Sequence, residues 1–146
     1  MLFRSAAIRF NHKSADAFFR RGDAWRMKGE FDKALADYAT SIRLAPDSPF
    51  AYDGRARIWA TCSDASHRDG QQAVASATRA CELTGCKNAA FLSTLAAAFA
   101  QAGNFDAAVK WQNIVQSMSG DEKDRDIARA RLALYEGKKP YRAGAK

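Results

Sequence analysis

Cys62, Asp64 and His67 lie together in a stretch of turn-forming composition, Cys62-Ser-Asp-Ala-Ser-His-Arg-Asp-Gly70. A thiol beside an imidazole, with a carboxylate to orient the ring, is the chemistry of an activated nucleophile. That chemistry also needs a pocket and donors for a developing oxyanion, and the residues around these three supply neither. The stretch reads as a polar surface turn. Cys81 and Cys86 flank a helix end at a spacing that matches neither zinc nor redox motifs. They read as unpaired cysteines, which behave as small buried hydrophobes. His12 is the only other histidine, and neither histidine has a second ligand at helical spacing, where a metal site needs three or four. Asp121, Glu122, Asp124 and Asp126 cluster at a helix start, where acids complement the helix dipole. No glycine-rich phosphate loop occurs. These residues point to no catalytic centre, no enzyme activity, no metal and no cofactor.

The elements that carry them are helices, and residues 15–48 set the pattern. Phe18, Trp25 and Met27, with the small Gly22 between them, follow the period of an amphipathic helix. Phe31, Ala34, Leu35, Tyr38, Ile42 and Leu44 follow it again. Gly29 falls where the first helix ends and the chain turns, and Pro46 closes the second. Two such helices cannot bury their apolar faces alone, so the unit needs stacked neighbours.

Phe18-x-x-Arg21-Gly22-x-x-Trp25, then Ala34-x-x-x-Tyr38, then Pro46, resembles the tetratricopeptide repeat (TPR) at its own spacing. Arg21 stands where leucine is usual. The resemblance implies an all-α, right-handed α-solenoid of about three helix-turn-helix repeats. Tyr52-x-x-Arg55-Ala56-x-x-Trp59 opens a second copy, residues 49–88, with an inserted loop at 62–70. Leu92-x-x-Leu95-Ala96-x-x-Phe99 opens a third, residues 89–120. Gly103-Asn-Phe105-Asp-Ala-Ala108 restates Gly29-Glu-Phe31-Asp-Lys-Ala34 at an offset of 74. Gln112 falls where an aromatic is usual. The stretches Ala60-Thr-Cys62-Ser-Asp64, Ala80-Cys81-Glu-Leu-Thr84 and Lys139-Pro-Tyr-Arg142 resemble the carboxyl-terminal TPR segment of a set of bacterial proteins.

Both ends depart from the full repeat. Ala7-Ile-Arg-Phe10 resembles Ser41-Ile-Arg-Leu44 at an offset of 34, so residues 1–14 read as the second helix of an incomplete repeat, with Ser14 capping the next helix. A short targeting peptide is the alternative, since the segment is basic and free of acids. Leu2, Phe3 and Phe10 are expected to pack on the Phe18–Trp25 helix with their other side uncovered, and an uncovered repeat edge predicts weak self-association or a place inside a longer array. At the other end, Ser119-Gly-Asp-Glu122 reads as a capping box for a final helix over 121–137, with Ile127, Ala130 and Leu134 on its apolar face. Residues 138–146 read as a tail that is loose at its end.

The 146 residues suffice for one domain. The net charge of +7 is scattered rather than gathered into basic runs interleaved with aromatics, which argues against a nucleic-acid footprint. No apolar run is long enough to span a membrane, and Met1–Phe10 has no apolar core of a secretory signal. Three cysteines, an odd number, point to a reducing compartment and a cytoplasmic setting.

The resemblance implies a protein–protein interaction module that holds a peptide or helix in a concave groove lined by first helices. Carried over position by position, the groove comprises Phe19, Arg20, Asp23, Arg26 and Met27, then Phe50, Asp53 and Arg57, then Thr94, Ala97 and Gln101. The clamp by which some TPR domains grip a chaperone tail uses cations. Here the matching positions are Phe19, Asp23, Gly54, Ala90 and Thr94, and none is a cation. A basic nucleic-acid-associated protein is the alternative function, and a carboxyl-terminal piece of a larger TPR-containing protein is the alternative setting.

Overall fold

The computed structural model describes residues 2–144, with side chains from residue 6 onward. Among the described residues there are seven α-helices and no strand: α1 (Leu2–Met27), α2 (Phe31–Leu44), α3 (Pro49–Thr61), α4 (Gly70–Leu83), α5 (Ala89–Gln101), α6 (Phe105–Met118) and α7 (Glu122–Glu136). They pair as the hairpins α1/α2, α3/α4 and α5/α6, stacked side by side, with α7 packed on α6. The fold is an all-α helical-repeat solenoid.

The hairpin turns follow from backbone chemistry. Gly29 and Gly103 take φ of +79° and +84°, a region that costs an ordinary residue its Cβ clearance. Each lies two residues beyond the end of a first helix and two before the second begins. The hairpins close on small residues. Ala34, Ala73 and Ala108, one on each second helix, are fully buried. Arg21, the departure from leucine, reaches from α1 to α2. Its Nε and Nη2 donate to the two oxygens of the buried Asp37 at 2.7 and 2.8 Å, a bidentate fork that a leucine could not make.

Three expectations are corrected. The first concerns the amino end. α1 runs unbroken through Ser14, so no separate partial-repeat helix exists. An N-cap needs a break before it, and no glycine or proline stands between Leu2 and Arg21, whereas Pro46 and Pro49 bracket the turn into α3. Phe10 is 70% exposed on this projecting helix rather than packed on Phe18 and Trp25. Leu2 and Phe3, expected beside it, have side chains outside the described residues.

The second concerns the last helix. Asp121, not Ser119, caps α7, accepting from the Asp124 N–H at 2.7 Å, while Ser119 Oγ donates back to the Val115 carbonyl. The buried face of α7 is Ala128 and Tyr135, with Leu134 half-buried; Ile127 is 48% exposed and Ala130 is also exposed. The helix is therefore rotated from the face its periodicity predicts.

The third concerns the cysteines. Cys81 and Cys86 are joined in a disulfide across the end of α4, where Cys86 adopts the left-handed φ of 54°. Only Cys62 is a free thiol, and it is buried. The pairing removes the cysteine argument for a reducing compartment. Among the described residues no helix is long and apolar enough to cross a membrane.

The tail is held as far as Ala143, whose N–H donates to the Thr61 carbonyl at the end of α3 (2.9 Å); its last two residues, where looseness is expected, lie outside the described residues.

Candidate functional site: a concave cavity closed by the tail

α1, α3, α5 and α7 all contribute to one concave cavity of about 730 Å3, within the size range of ligand sites. Of the groove residues expected from sequence, Arg26, Met27, Arg57, Thr94 and Ala97 line it. Thr94 and Ala97 are buried and form part of a low floor, and Met27 stands 79% exposed at the rim. Of the two arginines expected from sequence that line it, one is left over. Arg26 is spent on Asp23, with Nε 3.1 Å from its oxygen. Arg57 is exposed and has no ion pair among the described residues.

The other six lie outside this cavity. Phe19 and Phe50 border a smaller hollow of about 200 Å3 near Ser41 and Ser48. Their rings, 5.7 Å apart, continue an aromatic row from Tyr38 to Phe91. Arg20 pairs with Asp16 one turn away on the exposed side of α1. Asp23 accepts the Tyr38 hydroxyl at 2.7 Å, and that bond, after burial, pushes the Tyr38 phenol above its ordinary range. Gln101 sits at the end of α5 against Gly70, where even a methyl group would meet the backbone of Ala102 at 2.7 Å.

Asp53 departs furthest from expectation. Rather than offering a carboxylate to solvent, it is 7% exposed, and its Oδ1 has no hydrogen-bond partner. Burial lifts its carboxyl to about 6, against the Thr94 hydroxyl and the Arg57 and Arg26 charges, which pull it down.

Sequence reasoning missed the far wall. α7 brings Arg131, Ile127 and Asp124 to the cavity, and α6 brings Gln112. Arg131 donates to Ser93 Oγ on α5 at 2.6 Å and lies over the Tyr141 ring at 4.2 Å, while its Nε is buried without a partner. Gln112 is fully buried, donating to the Ala128 carbonyl at 3.2 Å and leaving Oε1 unpartnered. A signal was present: Arg131 follows Arg57 by the same 74 residues that separate the first and third repeats. α7 thus stands where the first helix of a further repeat would.

The inserted loop is a strut rather than a reaction centre. After Cys62 the chain makes one turn of 3-10 helix, Ala65–His67, and both nitrogens of His67 are engaged. Nδ1 lies 3.1 Å from Asp64 and Nε2 3.0 Å from Asp32 on α2, with the ring against Phe31. Neither nitrogen is left to act as a base toward the Cys62 thiol. Among the described residues no cluster of three or more histidine, cysteine or carboxylate side chains could hold a metal.

Residues 15–48 match the family model of the tetratricopeptide repeat. That is the first hairpin, carrying Gly22, Ala34 and Tyr38. The whole chain is similar in structure to the Arabidopsis OM64 TPR domain, with a TM-score of 0.68 at 19% identity, over 86% of this chain and 98% of that one. It is also similar to the N-terminal domain of stress-induced protein-1 (STI-1) from C. elegans, with a TM-score of 0.62 at 20% identity, over 82% of this chain and 95% of that one. No curated protein sequence matches the chain. At these identities the likeness shows the fold alone, a TPR-type solenoid.

Proposed function

We propose that the chain docks a segment of a partner protein in the concave cavity, with one bulky apolar anchor and a carboxylate on the ligand. One observation carries this reading: Arg57, a guanidinium without an ion pair among the described residues, shares a cavity of about 730 Å3 with the exposed apolar side chains of Met27, Met118 and Ile127. A planar, unpaired guanidinium is the side chain best suited to grip a carboxylate with two hydrogen bonds. The apolar surface beside it is unlike a solvated helix face, which would be covered by charge. Small residues of α5 leave room for the anchor.

A pull-down from the native cell identifies the partner, and Arg57→Ala then tests the site. The substitution should weaken binding by about 1–3 kcal/mol where the pairing is desolvated, with little change in melting temperature, since Arg57 is exposed. Lys110→Glu, on the outer surface of α6, is the control. Binding abolished by Lys110→Glu but unchanged by Arg57→Ala moves the site to the convex face.

A further inference from the structure

We infer that Arg57 and Arg131 work as a pair, and that the segment docked in the cavity carries two acidic side chains, one on either side of its apolar anchor. This rests on the reading of the cavity as a docking site and adds a second acid and its spacing.

The two arginines hold equivalent places, Arg57 on α3 and Arg131 at an offset of 74 on α7. Both line the cavity. Neither has an ion pair among the described residues, whereas Arg26, the third cation on the lining, is held by Asp23. Among the described lining residues the only acid is Asp124, in the first turn of α7. It lies two turns before Arg131, roughly 10 Å along the helix axis, where the positive end of the helix offsets its charge. Two guanidiniums thus face one space without compensation, an arrangement that anions placed between them would relieve.

Arg131 is fixed rather than loose. Its Nη1 donates to Ser93 Oγ on α5 at 2.6 Å, and the Tyr141 ring covers it at 4.2 Å. Tyr141 belongs to the tail, whose Ala143 N–H is tied to the Thr61 carbonyl at the end of α3. The tail is therefore a wall and a strut, running between the two helices that carry the arginines. A guanidinium has five N–H donors in a planar fork. The Ser93 bond uses one of them, so donors remain for a carboxylate.

The spacing calls for two acids rather than one. α5 lies between the two helices: α3 packs against it, and Arg131 reaches it at Ser93. Neighbouring helix axes are about 8–10 Å apart, so the axes of α3 and α7 stand on the order of 16–20 Å apart. A single carboxylate does not bridge both guanidiniums across that span. In an extended segment every second side chain shares a face, and each residue advances about 3.3 Å. Acids two residues before and two after the anchor then lie roughly 13 Å apart, on the same face as the anchor, and the arginine side chains reach inward across the remainder. Between them Ala90 and Ala97 of α5 leave room for the anchor.

The test uses the full chain and three fluorescent peptides with both ends blocked, so that no terminal carboxylate contributes. The first is Gly-Asp-Ser-Phe-Ser-Asp-Gly, the second has one Asp as Asn, and the third has both as Asn. The parent should bind the two-acid peptide about tenfold or more tightly than the one-acid peptide. In Arg57→Gln, and equally in Arg131→Gln, those two peptides should bind alike, because the second acid has lost its partner. Lys110→Gln, on the outer surface, should leave the difference intact. The inference is overturned if the second acid adds nothing in the parent, if its gain survives either arginine substitution, or if none of the peptides binds. Arg57 is exposed, so Arg57→Gln decides the matter even where Arg131→Gln folds poorly. A failure confined to the second acid leaves the docking reading standing, since Arg57→Ala tests that through the partner taken from the cell.

Discussion

In the first repeat Tyr38 lies against Gly22 and Gly54; at positions 74 residues on, the chain has Gln112, Ala96 and Ala128. The backbone plan is shared, but the filling differs. Tyr38 is fully buried, and its ring leaves no room beside it: a methyl on Gly22 would stand 2.9 Å from the ring, and one on Gly54 would stand 2.6 Å from it. The two glycines are what allow the aromatic, and its hydroxyl finds Asp23. In the third repeat alanines stand in place of both glycines, and the amide of Gln112 finds one carbonyl and leaves its own oxygen unpartnered at the cavity wall. One crossing is filled by a ring, and the other places a buried amide at the cavity wall. The same backbone crossing can thus be filled in two ways, provided the small residues facing it change as well.

The largest expected effect tests the ring-filled crossing. Tyr38→Ala should cost about 3–5 kcal/mol of stability by denaturant unfolding, as large aromatic truncations in a core do. Gln112→Ala should cost clearly less. Equal losses at the two positions would show that the crossings are equivalent after all.

Next comes a second pair at the same offset, Asp53 on α3 and Ile127 on α7, where the acid is buried and the isoleucine is 48% exposed. Because burial raises the folded-state carboxyl from 3.8 to about 6, the folded state holds this proton more tightly than the unfolded state. The resulting stability is present in full below the unfolded value and is lost as pH rises through about 6. Asn carries no such titration. Asp53→Asn should therefore gain roughly 2–3 kcal/mol over the parent near pH 8, and the gain should vanish on acidification below about pH 4. A gain that does not change with pH would assign the effect to packing.

The smallest effect sharpens the amide-filled crossing. Gln112→Leu removes an unpartnered buried oxygen at the cost of one modest hydrogen bond. Stability should stay within about 1 kcal/mol of the parent or rise. A loss well beyond that would mean that the amide oxygen has a partner, and the contrast with Tyr38 would weaken.

How much of this was legible depended on how local the cause was. Gly29, Gly103 and the apolar rows between them marked the hairpin turns, because a left-handed φ and a helical period are properties of a few adjacent residues. Ser14 misled because a capping residue has meaning only after a break, and the break was missing. Cys81 and Cys86 misled because their meeting depends on the backbone reversal at Cys86. The lining of the cavity was legible at Arg26, Arg57 and Ala97, on the first helices of the hairpins. It was missed at Arg131, on a helix that looked like a cap.

By itself the sequence determined the helices, their pairing into hairpins and the small residues at which they cross. Each of these follows from spacing within about one turn or one hairpin, where side-chain size and periodicity act directly. Tertiary structure alone decided that Asp53 is buried with an unpartnered oxygen while Ile127 faces the cavity, that Arg57 and Arg131 share one space, and that the Ala143 N–H reaches the Thr61 carbonyl. These depend on how successive hairpins are rotated against one another, a rotation set by the sum of many side-chain contacts across helix faces. No short stretch of residues carries that sum.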